Sequence, residues 1–186
     1  ANALPEISDA FAAAVSAGLN YFYIPDGSYT ISENIKISTE NSIIFGNGPD
    51  SIITQTFDGD LFTVSADNVS FKNFTVRSSL TRTTGYVINS ASNDDITIEG
   101  IFVDPTTDNN FNGFNISSAN YVKIENCKIY QIGGTGITLS GINVGAITNN
   151  IIRDCSVYSP GTVSGINISG TNSNLSVSGN FSGNSS

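Results

Sequence analysis

Chemistry in this chain falls to carboxylates, lysines, arginines, tyrosines and amides, because histidine, tryptophan and methionine are absent. That removes imidazole acid–base catalysis, imidazole metal ligation and indole platforms for sugars. The remaining candidates recur in columns. Arg77, Asp104, Tyr130 and Arg153 hold one position of a repeat, and Lys72, Glu99 and Glu125 hold another. Two cations, a carboxylate and a flat ring along one face would clamp the carboxylates of an elongated anionic glycan and stack on a sugar ring. The simpler role of the same column is a salt-bridged, solvated ladder from Arg77 to Asp104, with Tyr130 covering apolar surface. Stacked glutamates at 99 and 125 would have backbones roughly 4.8 Å apart. That is near the ~5 to 5.5 Å carboxyl separation of retaining glycosidases. Repulsion between them would keep one protonated, as a general acid requires, whereas Lys72 beside Glu99 offers an ordinary ion pair instead. Asp94 and Asp95, with Asp104 and Asp108, are oxygen ligands of the kind Ca²⁺ takes. Asp94 also fits a turn, there is no EF-hand spacing, and the reading is of no metal and no cofactor.

These columns exist only if the chain repeats. Asn68 to Val76 reads NVSFKNFTV, Asp95 to Val103 reads DITIEGIFV, and Tyr121 to Ile129 reads YVKIENCKI. Each is a strand, a turn and another strand. Phe71, Ile98 and Ile124 are 27 and then 26 residues apart, with fainter copies at Phe45, Ile147 and Val177. A fixed period of that length means a solenoid. Two residues after the anchor stand Asn47, Asn73, Gly100, Asn126 and Asn149, the types that enter the left-handed region most cheaply, so a tight bend is expected there. Four before it stand Asn41, Asp67, Asp94, Asn120 and Asn143, whose short polar side chains can bond backbone two residues on and form the preceding turn. Phe74 with Val76, Ile101 with Val103, and Cys127 with Ile129 read as an inward-facing second strand.

Pro5 to Gly18 is the one convincing helix, with Ile7, Phe11, Ala14 and Val15 on one face and Pro and Gly in their preferred places at the ends. A solenoid needs a lid over its first coil, and this helix supplies it. Leu19 to Ser32 then gives two strands around a Pro-Asp-Gly turn. The organisation is residues 1–20 as cap and lead-in, and 21–186 as a parallel β-helix, one domain of a longer chain. The tail from Ser178 to Ser186, made of Gly, Asn and Ser with one Phe, reads as a frayed end. Together with Ala1 as the first residue, it points to a fragment.

Acids outnumber bases 16 to 7 and the formal charge is −9 without a basic run, which argues against nucleic acid and anionic membrane surfaces as partners. No stretch approaches the length of a membrane span. Cys127 and Cys155 lie in neighbouring repeats at different phases, so buried free thiols are expected rather than a disulfide.

The opening DAFAAAVSAG, YFYIPDGSYTIS and SIIFGNGPDSIIT, and the later VKIENCKI and AITNNIIRDC, resemble right-handed parallel β-helix proteins of the pectate-lyase-like superfamily, particularly its phage tailspike members. The resemblance covers nearly the whole chain. It implies an all-β, right-handed parallel β-helix and a virion-surface or extracellular protein that contacts cell-surface polysaccharide for host attachment, commonly as a homotrimer packed side by side. The same fold carries depolymerases and structural spacers, so fold alone does not choose among them. The Gly-His-Gly segment of polygalacturonase-like hydrolases and the Trp-Ile-Asp-His motif of pectate lyases are both missing. A depolymerase would instead rely on Glu99 and Glu125 or on the arginine column. The segments from Asp104 to Asn112 and from Ser159 to Val163 are the variable loops expected to tune specificity.

Overall fold

The computed structural model of the chain describes residues 7–80, 83–104, 112–130, 134–153 and 165–183. A short helix, α1 (Ser8–Ser16), comes first. The first coil follows as β1 (Tyr21–Ile24), β2 (Gly27–Ile31) and β3 (Ile35–Ile37), and the next as β4 (Ile43–Gly46), β5 (Ser51–Gln55) and β6 (Phe62–Val64). Then come β7 (Val69–Lys72), β8 (Thr75–Ser78) and β9 (Tyr86–Ala91), followed by β10 (Ile96–Glu99), β11 (Phe102–Val103) and β12 (Asn112–Ser117). The later coils are β13 (Val122–Glu125), β14 (Lys128–Tyr130) and β15 (Ile137–Ser140), then β16 (Gly145–Thr148), β17 (Ile151–Arg153) and β18 (Ile166–Ser169). The described chain ends in β19 (Leu175–Ser178) and β20 (Phe181–Gly183).

Every strand pairs in parallel with its equivalent one coil away, which gives three faces. The first sheet is β1-β4-β7-β10-β13-β16-β19, the second β2-β5-β8-β11-β14-β17-β20, and the third β3-β6-β9-β12-β15-β18. This is the right-handed parallel β-helix that the repeat and the resemblance anticipated. The third sheet was not legible as a column. From the end of β5 to the start of β6 the chain runs from residue 55 to 62, but from β8 to β9 it runs from 78 to 86 and from β11 to β12 from 103 to 112. Loops of unequal length slide the third strand against the period.

The core is the set of inward positions stacked coil on coil. Phe71, Ile98, Ile124 and Ile147 are fully buried in one column, and Val76, Val103 and Ile129 in another. Phe74, Ile101 and Cys127 are buried beside them, as their alternation required. In the next coils that stack turns polar. Buried Asn150 accepts from Cys127 N at 2.9 Å and donates to Ile124 O at 3.1 Å and Asn180 Oδ1 at 2.9 Å. At the N-terminal end, Phe11 of α1 lies flat on Phe22, with ring centroids 5.4 Å apart and planes 4° from parallel. Ile7, Ala14 and Val15 pack against the same core, so the helix closes the first coil with the face expected of it. Ile7 N donates to Thr30 O at 3.1 Å and Ser32 N to Ser8 Oγ at 3.1 Å, which ties the helix to the strand beneath it.

Three details differ from the sequence reading. In the first repeat the inward anchor is Ile44, which pairs with Phe71, while Phe45 pairs with Lys72 and points outward. The bend position there is consequently Gly46 and not Asn47; a Cβ at Gly46 would lie 2.7 Å from Asn73 O, so the close approach of two coils demands glycine. The bend column itself holds: Asn73, Gly100, Asn126, Asn149 and Gly179 all have φ between 55° and 64°. At the preceding turn, Asn41 of the expected Asx column is left-handed, but in the later coils the left-handed residues stand one place after that column: Asn68, Asp95, Tyr121 and Asn174. The Asx side chains bond the next coil and not their own turn. Asp67 Oδ1 accepts from Asp94 N at 2.9 Å, and Asp94 Oδ1 accepts from Asn120 N at 2.8 Å. Finally, the tail is not wholly frayed: Phe181 pairs with Ile151 and Ser182 with Ile152 as β20 adds to the second sheet.

Candidate functional site

Strands bury alternate residues, so each coil offers one or two outward side chains per sheet, and the parallel register lines them up along the axis. On the second sheet that register gives Thr54, Arg77, Asp104, Tyr130 and Arg153 in sequence: Thr54 pairs with Arg77, Val76 with Val103, Val103 with Ile129, and Tyr130 with Arg153. The expected column therefore exists as a backbone arrangement. Arg77 Nη2 lies 3.4 Å from Asp104 Oδ2, with the two side chains 35% and 33% exposed. A pair this wet contributes about 0–1 kcal/mol. The Arg77 Nε is buried and has no hydrogen-bond partner among the described residues. Tyr130 sets its ring edge-on to Phe102, with centroids 5.4 Å apart at 84°, and remains half-buried. The side chain of Arg153 lies outside the described part of the structure.

On the first sheet, Lys72, Glu99, Glu125 and Thr148 are successive partners in register. The glutamates are neighbours, as expected, but each has its own cation. Lys72 Nζ is 3.3 Å from Glu99 Oε2, and Lys123 bonds Glu125. The hydrogen bond that Lys123 donates to Glu125 is also what raises the Lys123 pKa above its ordinary value. Two lysines thus offset the repulsion on which an acid–nucleophile pair would depend. Lys123, two residues before Glu125 on the same strand face, is the partner that the expected column leaves out, and that spacing was its signal.

Among the acidic turn residues, Asn120 holds both oxygens of Asp94, donating from Nδ2 at 3.0 and 2.9 Å, and its bonds push the Asp94 pKa below the usual aspartate value. Asp95 sits in the left-handed turn at φ 56°. Asp108 lies outside the described residues, as do Cys155 and the loop segments 105–111 and 154–164. Cys127 is a free, buried thiol, and burial pushes its pKa up to about 12, which keeps it protonated and unreactive.

Two surfaces were not anticipated. Tyr21 and Tyr23 alternate outward on β1, 65% and 50% exposed, and both rings rest on Phe45, with Asn47 Nδ2 donating to the Tyr23 hydroxyl at 2.7 Å. The alternation in YFYI was the available signal, obscured by placing Phe45 inward. A groove of about 400 Å³ lies along the turn that precedes the first sheet, lined by Asn68, Asp95, Thr97, Tyr121, Lys123 and Val144 among others.

The chain matches the family model described as right handed beta helix region over residues 60–185. No curated protein sequence matches it. Among solved structures it is similar to the crystal structure of the pre-mature bacteriophage phi29 gene product 12, with a TM-score of 0.57 and 15% identity. That likeness covers 96% of this chain and 31% of the phage protein, so the chain spans under a third of its neighbour's length. At that identity the shared feature is the fold. The stacked inward columns, the three parallel sheets and the family match over most of the chain together identify it as a member of the right-handed β-helix family.

Proposed function

We propose that this β-helix is part of a phage tailspike or related surface fibre and binds cell-surface polysaccharide for host attachment. The observation that carries the reading is the outward register of Arg77, Asp104 and Tyr130 on the second sheet. Arg77 has five N–H donors; its Nε is buried, and among the described residues Nη2 pairs with Asp104, which leaves the outer edge of the guanidinium for a sugar carboxylate. Tyr130, braced against Phe102, offers an amphipathic ring to a pyranose. The family match and the phage neighbour support a fibre of this kind. Within such a fibre the expected assembly is three chains side by side, at the virion surface.

A panel of purified capsular and O-antigen polysaccharides tests the reading. The expected result is saturable binding of an acidic polymer that Arg77→Ala and Tyr130→Ala weaken roughly tenfold or more each, with unchanged melting temperature. A protein that sediments as a monomer and binds no polymer would contradict it. Assaying the same mixtures for new reducing ends separates adhesion from depolymerisation. With Glu99 and Glu125 each committed to a lysine, Glu99→Gln and Glu125→Gln are expected to leave binding intact.

A further inference from the structure

Tyr121 departs from its column. The equivalent left-handed residues in other coils are Asn41, Asn68, Asp95 and Asn174, types suited to positive φ, whereas Tyr121 holds φ 57° with a bulky ring. That ring joins no core packing and is 60% exposed. Strain of this kind persists where something else requires the side chain. What Tyr121 borders is the groove of about 400 Å³ before the first sheet. Its lining steps through four coils, from Asn68 to Asp95, Tyr121 and Val144, so it runs parallel to the solenoid axis for roughly 14 Å at the parallel-strand spacing. Thr97 and Lys123 form the wall on the strand side. The surface is an open groove in which one projecting aromatic ring stands beside apolar Val122, Val144 and Ala146, with hydroxyl, amide, carboxylate and ammonium groups within the same lining.

We propose that this groove is a second sugar subsite, one that takes a neutral pyranose unit, with the Tyr121 ring against the sugar's C–H face and Asp95, Asn68 and Thr97 bonding its hydroxyls. Charge selects the neutral class. Asp95 stands in the wall, and the nearest cation, Lys123, already bonds Glu125, so a uronate would meet an uncompensated carboxylate. The groove lies at the start of the first sheet and the arginine column at the far end of the second, with the bend at Gly100 and Asn126 between them, so the two are independent sites. For the class of its ligand the inference rests on the glycan-binding reading; for its location it does not.

The test uses the whole chain and two panels of bacterial polysaccharide, one neutral and one rich in uronates. Tyr121→Asn installs a residue type that positive φ favours, so this variant folds, and its melting temperature rises by about 2–4 °C. Its binding of a neutral polymer falls roughly tenfold. Asp95→Asn keeps the turn conformation and lowers the same affinity by roughly threefold or more. Neutral-polymer binding unaltered in both variants overturns the proposal, even if Arg77→Ala and Tyr130→Ala abolish uronate binding and so uphold the first site. Loss confined to the Tyr121 and Asp95 variants supports this groove while removing the arginine column. A wild-type protein that binds neither panel defeats both.

Discussion

At the scale of single residues, the inward positions were legible and the outward ones only as columns. Phe71, Ile98 and Ile124 declared themselves by period and alternation, because a position buried in every coil tolerates only apolar side chains. Asn150 did not, since a polar residue following Phe74, Ile101 and Cys127 looks like an error until its bonds to Cys127 N, Ile124 O and Asn180 are seen. Asn150→Ala removes the side-chain bonds to Cys127 N and Ile124 O, while Asn180 keeps its bond from the backbone N–H of residue 150, and should lower stability by about 2 kcal/mol in urea titration. Cys127, buried and with its pKa pushed up to about 12, should resist alkylation at neutral pH in the native protein and react once it is unfolded, read by site-resolved mass spectrometry. The glutamate pair shows the limit of reading columns: backbone adjacency and the Lys72 partner of Glu99 were legible, but the partner of Glu125 is Lys123, which stands outside the column.

At the scale of elements, helix α1 was legible from its apolar stripe, because the open end of a coil needs one apolar face and little else. Phe11, stacked on Phe22 and close to Phe62, is its anchor. Phe11→Ala should cost about 3 kcal/mol, measured by denaturant unfolding. The first corner was misplaced by one residue, since Ile44 and Phe45 are both acceptable inward residues by type. What decides is backbone contact: only glycine fits at 46, 2.7 Å from Asn73 O where a Cβ would stand. The turn ladder from Asp67 to Asp94 and Asn120 links coils through side-chain bonds that no spacing rule within one turn would reveal. Asp94 gives this ladder a pH signature. Its folded pKa lies below the ordinary value near 3.8, so its contribution to stability is complete above that pH and is lost as the pH falls through the lowered folded value. Acid unfolding of Asp94→Asn should lack that component.

At the scale of the molecule, the period alone carried the fold, because each coil buries its apolar face only against the next. The third sheet escaped, being reached through loops of unequal length. Function is a different matter: a β-helix presents the same outward geometry to many tasks, and 15% identity with a phage protein over 31% of its length conveys the fold. What remains is the chemistry of the outward columns, and the claim that Arg77 and Tyr130 engage an acidic polysaccharide. An affinity titration of such a polymer against wild type and Arg77→Gln, at low and at physiological salt, tests it most directly. The account predicts binding that weakens with salt and falls roughly tenfold on loss of the guanidinium. Binding that is indifferent to both, or no binding at all, would contradict it.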